Sequence, residues 1–329
     1  MLKKILVIQT ASIGDVVLAT SLLETLHRDL PFVQLDIVVK AGNESLFEGH
    51  PFLNKVFLWQ KRQNKYRNLL KLIGEIRTQK YDITINLQRF LSSGMITLLS
   101  NATEMRGFKK NPLAFLFSKR YEHTISSTNF VHETVRNAAL IADLCRQPIE
   151  KPKLYPDFET IFPFQNEGVY YTISPSSLWV TKQMPLSKWA ELVSAAAEKG
   201  FVCLLGARND WDLCEKIIKM SAIKNGKCLN LCGELSFLQS CSLMKRAKMN
   251  FTNDSAPLHF CSAVNASVTA VFCSTVTEFG FTPLSEDSLV VQTKKKLSCR
   301  PCGLHGYSQC PKKHFDCGDI DIKDLTERL

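Results

Sequence analysis

A twice-repeated alternation of short buried strands and amphipathic helices, interrupted by a proline-rich stretch, constrains this chain more than any other feature. Lys3 to Gln9 reads as a buried strand, residues 10–15 as a turn, and Val16 to Arg28 carries apolar side chains at helical spacing. Gln34 to Lys40 supplies a second strand. Strand, turn, helix and strand in that order make a βαβ unit, which requires a parallel sheet. A basic helix over 65–79, a strand from Ile83 to Leu87 and a helix from His132 to Leu144 follow.

Pro148, Pro152, Pro156 and Pro163 then punctuate a segment without long periodicity, as a linker does. The alternation resumes with a strand from Gly168 to Ser174, a helix from Ser187 to Lys199 and a strand from Phe201 to Leu205. A helix from Asp210 to Met220, a helix from Leu235 to Ala247 and a strand from Met249 to Thr252 come next. Pro257 to Val264 opens a further helix before the strand from Val268 to Phe272. The fold class is therefore α/β, with two Rossmann-like domains. The expected division is residues 1–155, residues 156–317 with a cysteine-rich tail, and a segment 318–329 able to pack back on the N-terminal domain. Ligands of such sheets bind outside the carboxyl ends of the strands.

The 329 residues suffice for two cores, and 45% hydrophobic with 22% charged residues is a soluble, folded balance. The apolar run at residues 5–8 ends too soon for a signal peptide, and nothing approaches a membrane span, so a cytoplasmic protein is expected. Twelve cysteines then read as reduced thiols. The net charge of +10 predicts an acidic partner. No nucleic-acid-binding signature accompanies it. Lys61, Arg62, Lys65, Arg67, Lys71, Arg77 and Lys80 crowd one region, with Lys109, Lys110, Lys119 and Arg120 beyond. That face could meet anionic lipid or a phosphorylated substrate, although a merely solvated helix face explains many such residues.

Four constellations carry candidate chemistry. In Ser12-Ile13-Gly14-Asp15, glycine permits close approach of a ligand and Asp15 could accept a proton from an attacking hydroxyl; helix capping explains the same aspartate. Ser174-Pro175-Ser176-Ser177 with Thr181-Lys182-Gln183 offers hydroxyls and an ammonium to a diphosphate, or is a plain polar loop. Asn253-Asp254-Ser255-Ala256-Pro257-Leu258-His259 opens a helix whose N-terminus suits an anion, although Asp254 and Ser255 could simply cap it and His259 could be a core residue. Cys299, Cys302, Cys310 and Cys317 could hold a structural zinc or be tail thiols, and no catalytic metal is expected.

Taken in order, these segments resemble glycosyltransferase family 9, the ADP-heptose:lipopolysaccharide heptosyltransferases. The likeness spans nearly the whole chain. It runs through Ser12 to Val17, Tyr81 to Gln88, Arg106-Gly107-Phe108 (similar to the turn after that strand) and His132 to Asn137. It continues through Trp179 to Lys182 with Pro185, and through Asn253 to His259. The resemblance implies a GT-B architecture, its two domains facing a central cleft. It implies inverting, metal-independent transfer of heptose from ADP-heptose to the inner core of lipopolysaccharide, with no cofactor beyond the donor. Asp15 would be the general base. Lys182 would bind the diphosphate with Ser176 and Ser177. Asp254, Ser255, Ala256 and His259 would surround the donor, and Asp210 would reach the ribose. Gly14, Gln88, Arg106, His132 and Arg136 would line the acceptor side.

Three departures bear on donor identity: Ala256 where many members have glycine, Gln183 where many have arginine, and Cys273-Ser274-Thr275 in place of a Gly-Pro-Thr turn. A transferase using another nucleotide sugar, or a non-catalytic binder of one, are the alternatives. The expected partners are a nucleotide sugar, a lipid-anchored core acceptor and the anionic inner-membrane surface, with nucleic acid excluded.

Overall fold

The computed structural model describes residues 2–62, 64–160, 162, 168–221, 223 and 226–329, and the chain divides into two compact units. The first comprises Met1–Ile125 and Val131–Tyr155, the second Ser126–Phe130 and Pro156–Leu329.

In the first unit β1 (Lys4–Gln9), α1 (Ile13–Asp29), β2 (Gln34–Lys40), β3 (Leu53–Trp59) and α2 (Lys65–Arg77) come first. β4 (Ile83–Asn86), α3 (Leu91–Leu99), β5 (Glu104–Phe108), β6 (Lys119–Tyr121) and α4 (Glu133–Ala138) follow. The sheet runs β3-β2-β1-β4-β5-β6, every pairing parallel. The strands are apolar on both faces because helices cover both. Leu6 and Ile8 of β1, Phe57 and Trp59 of β3 and Leu69, Leu72 and Ile76 of α2 share one buried cluster. Each such side chain contributes about 1.5–3 kcal/mol of burial.

The second unit repeats the plan. It contains β7 (Tyr170–Ser174), α5 (Leu186–Lys199), β8 (Phe201–Leu204), α6 (Trp211–Ser221), β9 (Cys228–Asn230) and α7 (Phe237–Arg246). β10 (Met249–Asn253), α8 (Ala256–Val264), β11 (Val268–Phe272), β12 (Ser288–Gln292) and α9 (Lys323–Thr326) complete it. The order is β12-β11-β10-β7-β8-β9, again wholly parallel. Each sheet thus reverses strand order once, between β1 and β4 and between β7 and β10. Those two places are where doubly wound sheets hold ligands.

Several expectations are corrected. Helix α1 begins at Ile13 rather than Val16, because Ser12 and Asp15 form a capping box that satisfies its first turn. Gly14 therefore lies inside the helix, not in a turn. Arg106-Gly107-Phe108 is the body of β5 rather than a turn, held by parallel pairing to β4 and β6. The helix expected from His132 to Leu144 stops at Ala138 and tightens into a 3-10 turn over Ala139–Ile141, ahead of Asp143, which meets the Arg106 guanidinium. The final segment belongs to the second unit. Ile320 and Leu325 pack with Trp189, Leu192 and Ala196 of α5 in the core of the second unit, so apolar burial fixes it there.

The proline-rich stretch is tied down along α1. Thr25 Oγ1 accepts from Glu150 N at 2.9 Å, Thr20 Oγ1 from Lys153 N at 2.9 Å, and Tyr155 OH donates to Glu24 at 2.9 Å. Pro163, read as part of the linker, lies outside the described residues. Among the described residues no helix is long and apolar enough to cross a membrane.

Candidate active site

In the first unit the turn between β1 and α1 places Asp15 in the first helical turn. Its carboxylate accepts from Ser12 Oγ at 2.5 Å and from Ser12 N at 3.2 Å. Capping and a half-exposed carboxylate at the end of β1 therefore coexist in one residue. Both satisfy the same physics: an anion at a helix N-terminus is stabilised by the dipole. The turn is held from two sides. Lys61, following β3, donates from Nζ to Thr10 O at 2.6 Å, and Asn43 Nδ2 reaches Ala11 O at 3.4 Å. Burial, then the neighbouring Lys40 and Lys65, pull the Lys61 ammonium down to about 8. The charge count singled out Lys61 only as one of many cations; its place beside the turn depends on where β3 ends, which the sequence pattern left unread.

Gln88, just past β4, lies across the strand-order reversal from this turn. Its Nε2 donates to Gln9 Oε1, which also accepts from Ala11 N at 3.3 Å. Gln88 Oε1 is buried without a hydrogen-bond partner among the described residues. A buried amide oxygen in that state is costly unless a donor arrives. Asp15 and Gln88, with Gly14, are thus brought to the carboxyl edge of β1 and β4.

The other expected acceptor residues are each bonded within the first unit. Arg106 is 1% exposed and donates to Glu104 at 2.5 Å, to both oxygens of Asp143 at 2.5 and 3.0 Å, and to Leu140 O at 2.8 Å. Four of its N–H groups are thus bonded within the unit. His132 is the N-cap of α4, its Nδ1 accepting from Thr134 N at 3.3 Å. Arg136 is buried, donating to Glu133 at 2.8 Å and to Val131 O, while Glu133 also meets His123 at 3.1 Å.

In the second unit the loops after β7 and β10 close on each other. Lys182 Nζ lies 2.6 Å from Asp254 Oδ2, and the two side chains are only 15% and 7% exposed. Thr275 Oγ1, after β11, donates to the same oxygen at 2.6 Å. The charges therefore meet in a largely dry setting, where an ion pair is strong but each partner depends on the other. Asn253 braces the arrangement. Its Oδ1 accepts from Met184 N at 3.0 Å and its Nδ2 donates to Pro175 O at 2.7 Å, so one fully buried amide fixes the loops bearing Ser176, Ser177 and Lys182. The motif contains Asn253, read there as following the strand; β10 in fact includes it, and nothing adjacent in sequence signals this role.

Ser176 and Ser177 are half-buried at this edge. Ser255 and Ala256 open α8, with Pro257 in its first turn, and His259 is buried on that helix. Gln183 Nε2 is engaged by Ser177 O at 2.7 Å. Asp210 stands one strand away, capping the 3-10 turn Arg208–Asp210 that leads into α6 by accepting from Ala207 N at 2.8 Å. Among the described residues no hydrogen bond or ion pair joins it to Lys182 or Asp254, and its bond to Ala207 is local.

The tail is the component that sequence reasoning missed. Among the described residues no three His, Cys, Asp or Glu side chains come together as a metal-ligand set. The zinc reading of Cys299, Cys302, Cys310 and Cys317 thus finds no such geometry. All twelve cysteines are free thiols, and Cys302 Sγ turns to Cys299 O at 3.3 Å. The tail instead buttresses the Lys182 loop. Tyr307 N donates to Thr181 Oγ1 at 2.8 Å, Thr181 N to Tyr307 O at 3.1 Å, and Cys302 N to Ser274 O at 2.9 Å. Gly306 has φ +79°, and a Cβ there would fall 2.8 Å from Thr181 Oγ1. Only glycine fits that approach.

The comparisons agree with this layout. The family model described as glycosyltransferase family 9 (heptosyltransferase) matches residues 69–309. Lipooligosaccharide heptosyltransferase 2 of Haemophilus ducreyi is 23% identical, over 88% of this chain and 88% of its own. The solved structure of E. coli ADP-heptose lps heptosyltransferase II superposes with a TM-score of 0.80 at 22% identity, covering 99% of this chain and 97% of that one. E. coli heptosyltransferase WaaC with ADP gives a TM-score of 0.71 at 18% identity, over 87% and 92% of the two chains.

Proposed function

This chain belongs to glycosyltransferase family 9, and on that premise we propose that it moves heptose from ADP-heptose to the inner core of lipopolysaccharide. It is a glycosyltransferase of the heptosyltransferase family, with the GT-B class of fold. The finer reading rests chiefly on one observation. Lys182 and Asp254 meet on the loops after β7 and β10, at the strand-order reversal where such sheets take ligands.

In the proposed step the acceptor oxygen bonds to the anomeric carbon from the face opposite the leaving group, and configuration inverts. The bond from that carbon to the diphosphate oxygen breaks. Asp15 takes the proton of the attacking hydroxyl. Lys182, Ser176, Ser177 and the N-terminus of α8 meet the charge of the departing ADP, so neither metal nor cofactor is called for. Ser255, Ala256 and His259 surround the donor together with Asp254, and Asp210 is the candidate for its ribose. Gly14 and Gln88 serve the acceptor, with Lys61 at the same turn. The acceptor is lipid-anchored, which places the working enzyme in peripheral contact with the cytoplasmic face of the inner membrane and its anionic lipids.

A second reading, the same chemistry with another nucleotide sugar, is favoured by Gln183, whose amide is held by Ser177 O where many members carry a guanidinium. Calorimetry with ADP-heptose and common UDP- and GDP-sugars separates the two. Selective binding of ADP-heptose, abolished in Lys182→Ala, is the expected result; selective binding of another donor moves the assignment to the second reading. Asp15→Ala should abolish transfer while leaving donor affinity nearly unchanged, and normal turnover by that variant would remove Asp15 from its role.

A further inference from the structure

Two loops of the first unit carry a surface that the transfer chemistry does not use. Phe90, Leu91 and Leu116 are each more than half exposed, and Phe115 is 68% exposed. Single exposed apolar side chains are ordinary, but four on adjoining loops call for a partner. The loops form one braced feature. Asn111 is buried and donates from Nδ2 to Gln88 O and to Phe90 O, each at 3.0 Å, while its Oδ1 accepts from Leu113 N at 3.0 Å. Helix α3 packs directly against them, since a Cβ on Gly94 would lie 3.2 Å from Leu113 Cβ.

Cations ring these apolar tips. Arg89 lies over the Phe90 ring at 5.6 Å, and Lys109, Lys110, Phe115 and Arg120 line a common depression. Lys109 is paired with Glu122, and Lys119 with Glu104 and Asp143. Lys110 and Arg120 are exposed and have no carboxylate partner among the described residues. Exposed apolar side chains beside unpaired cations match the boundary of an anionic bilayer, where the former enter the acyl edge and the latter meet lipid phosphates. Helix α2 also carries cations, Lys65, Arg67, Lys71 and Arg77, but offers only Tyr66 and Leu70 as exposed large apolar side chains.

We infer that the loops at 88–92 and 109–120 are the membrane-docking surface of this protein, with Phe115 and Leu116 entering the interface and Lys110 and Arg120 binding lipid phosphates. The inference deepens the proposed use of a lipid-anchored acceptor by naming the surface, and its test needs no donor. Sedimentation with phosphatidylglycerol-containing vesicles should capture the wild type, and neutral phosphatidylcholine vesicles should not. The double variant Phe115→Ser, Leu116→Ser and the double variant Lys110→Glu, Arg120→Glu should each weaken capture roughly tenfold or more. Lys65→Gln with Lys71→Gln on α2 should weaken it less than threefold, about the effect of general charge loss. Unchanged thermal melting of each variant certifies its fold.

Equal capture by neutral vesicles, undiminished capture of both loop variants, or a larger loss in the α2 variant would each overturn the assignment. On a de-acylated core oligosaccharide the Phe115→Ser, Leu116→Ser variant should turn over as the wild type does. Lost turnover there with vesicle capture retained would make the patch an acceptor site instead. Vesicle capture without any transferase activity would sink the proposed reaction while leaving this surface standing; activity without capture would do the reverse.

Discussion

Removing the ammonium of Lys182 should destabilise the second unit before any donor is added. Lys182→Met keeps the aliphatic stem, which lies close against Gly306, and deletes only the charge. Asp254 is then left 7% exposed, its carboxylate supported in the side-chain contacts seen here by Thr275 Oγ1. Breaking a buried pair from one side costs about 3–5 kcal/mol. Because Lys182 retains 15% exposure and water can replace part of the ammonium, we expect a cost just below that range, about 2–3 kcal/mol. Asp254→Asn should cost less, about 1–2 kcal/mol, since Thr275 still has an oxygen to donate to and Lys182 still has access to water. The double variant buries no orphan charge and should lie within about 1 kcal/mol of wild type. The cycle therefore predicts a coupling of about 3 kcal/mol, read from urea midpoints at constant slope.

The same cycle separates scaffold from chemistry. With Asp254 beside it, the Lys182 charge is locally cancelled, so ADP must compete for that ammonium. Asp254→Asn should hold ADP as well as wild type or more tightly. The double variant should remain weakened by roughly tenfold or more despite its restored stability, as expected for one lost charge-assisted phosphate contact. Calorimetry with ADP decides. If the double variant recovered both stability and ADP affinity, Lys182 would be a structural residue only. If Lys182→Met alone cost less than about 0.5 kcal/mol, the premise of a dry, interdependent pair would be wrong.

Asn253→Ala deletes two hydrogen bonds in a fully buried place, so it should lose about 2–3 kcal/mol of stability and weaken ADP binding several-fold by freeing the Pro175 and Met184 loops; calorimetric affinity equal to wild type would refute the brace. Arg106→Met should destabilise the first unit by about 3 kcal/mol without changing the KM for acceptor, because its partners are Glu104, Asp143 and a main-chain carbonyl; a KM rise in a variant that melts normally would restore it to the acceptor side. His50 gives a pH signature. Burial, then His27 and Lys153, depress its imidazole to about 4, and it packs edge-on to Phe52 and Tyr155 at 4.5 and 4.8 Å. A depressed folded-state value means its contribution is complete above the unfolded value near 6.5 and is lost as pH falls toward 4. Wild-type stability should therefore drop across that window more steeply than that of His50→Phe, and parallel curves would refute the assignment.

The fold was legible because parallel strands buried on both faces leave a periodic trace. Gln34 to Lys40 and Val268 to Phe272 match β2 and β11 to the residue. What escaped was short or mixed: β6 spans three residues, and β3 exposes Asn54, Lys55 and Leu58 without a regular alternation, which reads as loop. The candidate site was legible as residue types but not as partnerships. Asp15 and Asp254 were each open to two readings, base or donor contact on one side and cap on the other. The geometry leaves Asp15 in a capping box but sets Asp254 against a lysine 72 positions earlier in the chain. Local sequence records capping well, because the partner is three residues away. It does not record the Lys182 pair, the Asn253 brace or the Gly306 approach to Thr181, since each joins segments that only the sheet order brings together. Arg106 marks the same limit from the other side. An arginine opening a segment that resembles a family motif suggests an anion site, and here the anions are Glu104, two residues back, and Asp143, reached only because α4 gives way to a 3-10 turn. Residues whose role is set by their neighbours in sequence can be read from sequence. Residues whose role is set by topology become readable only once the strand order is known, and in this chain those are the ones that position the proposed chemistry.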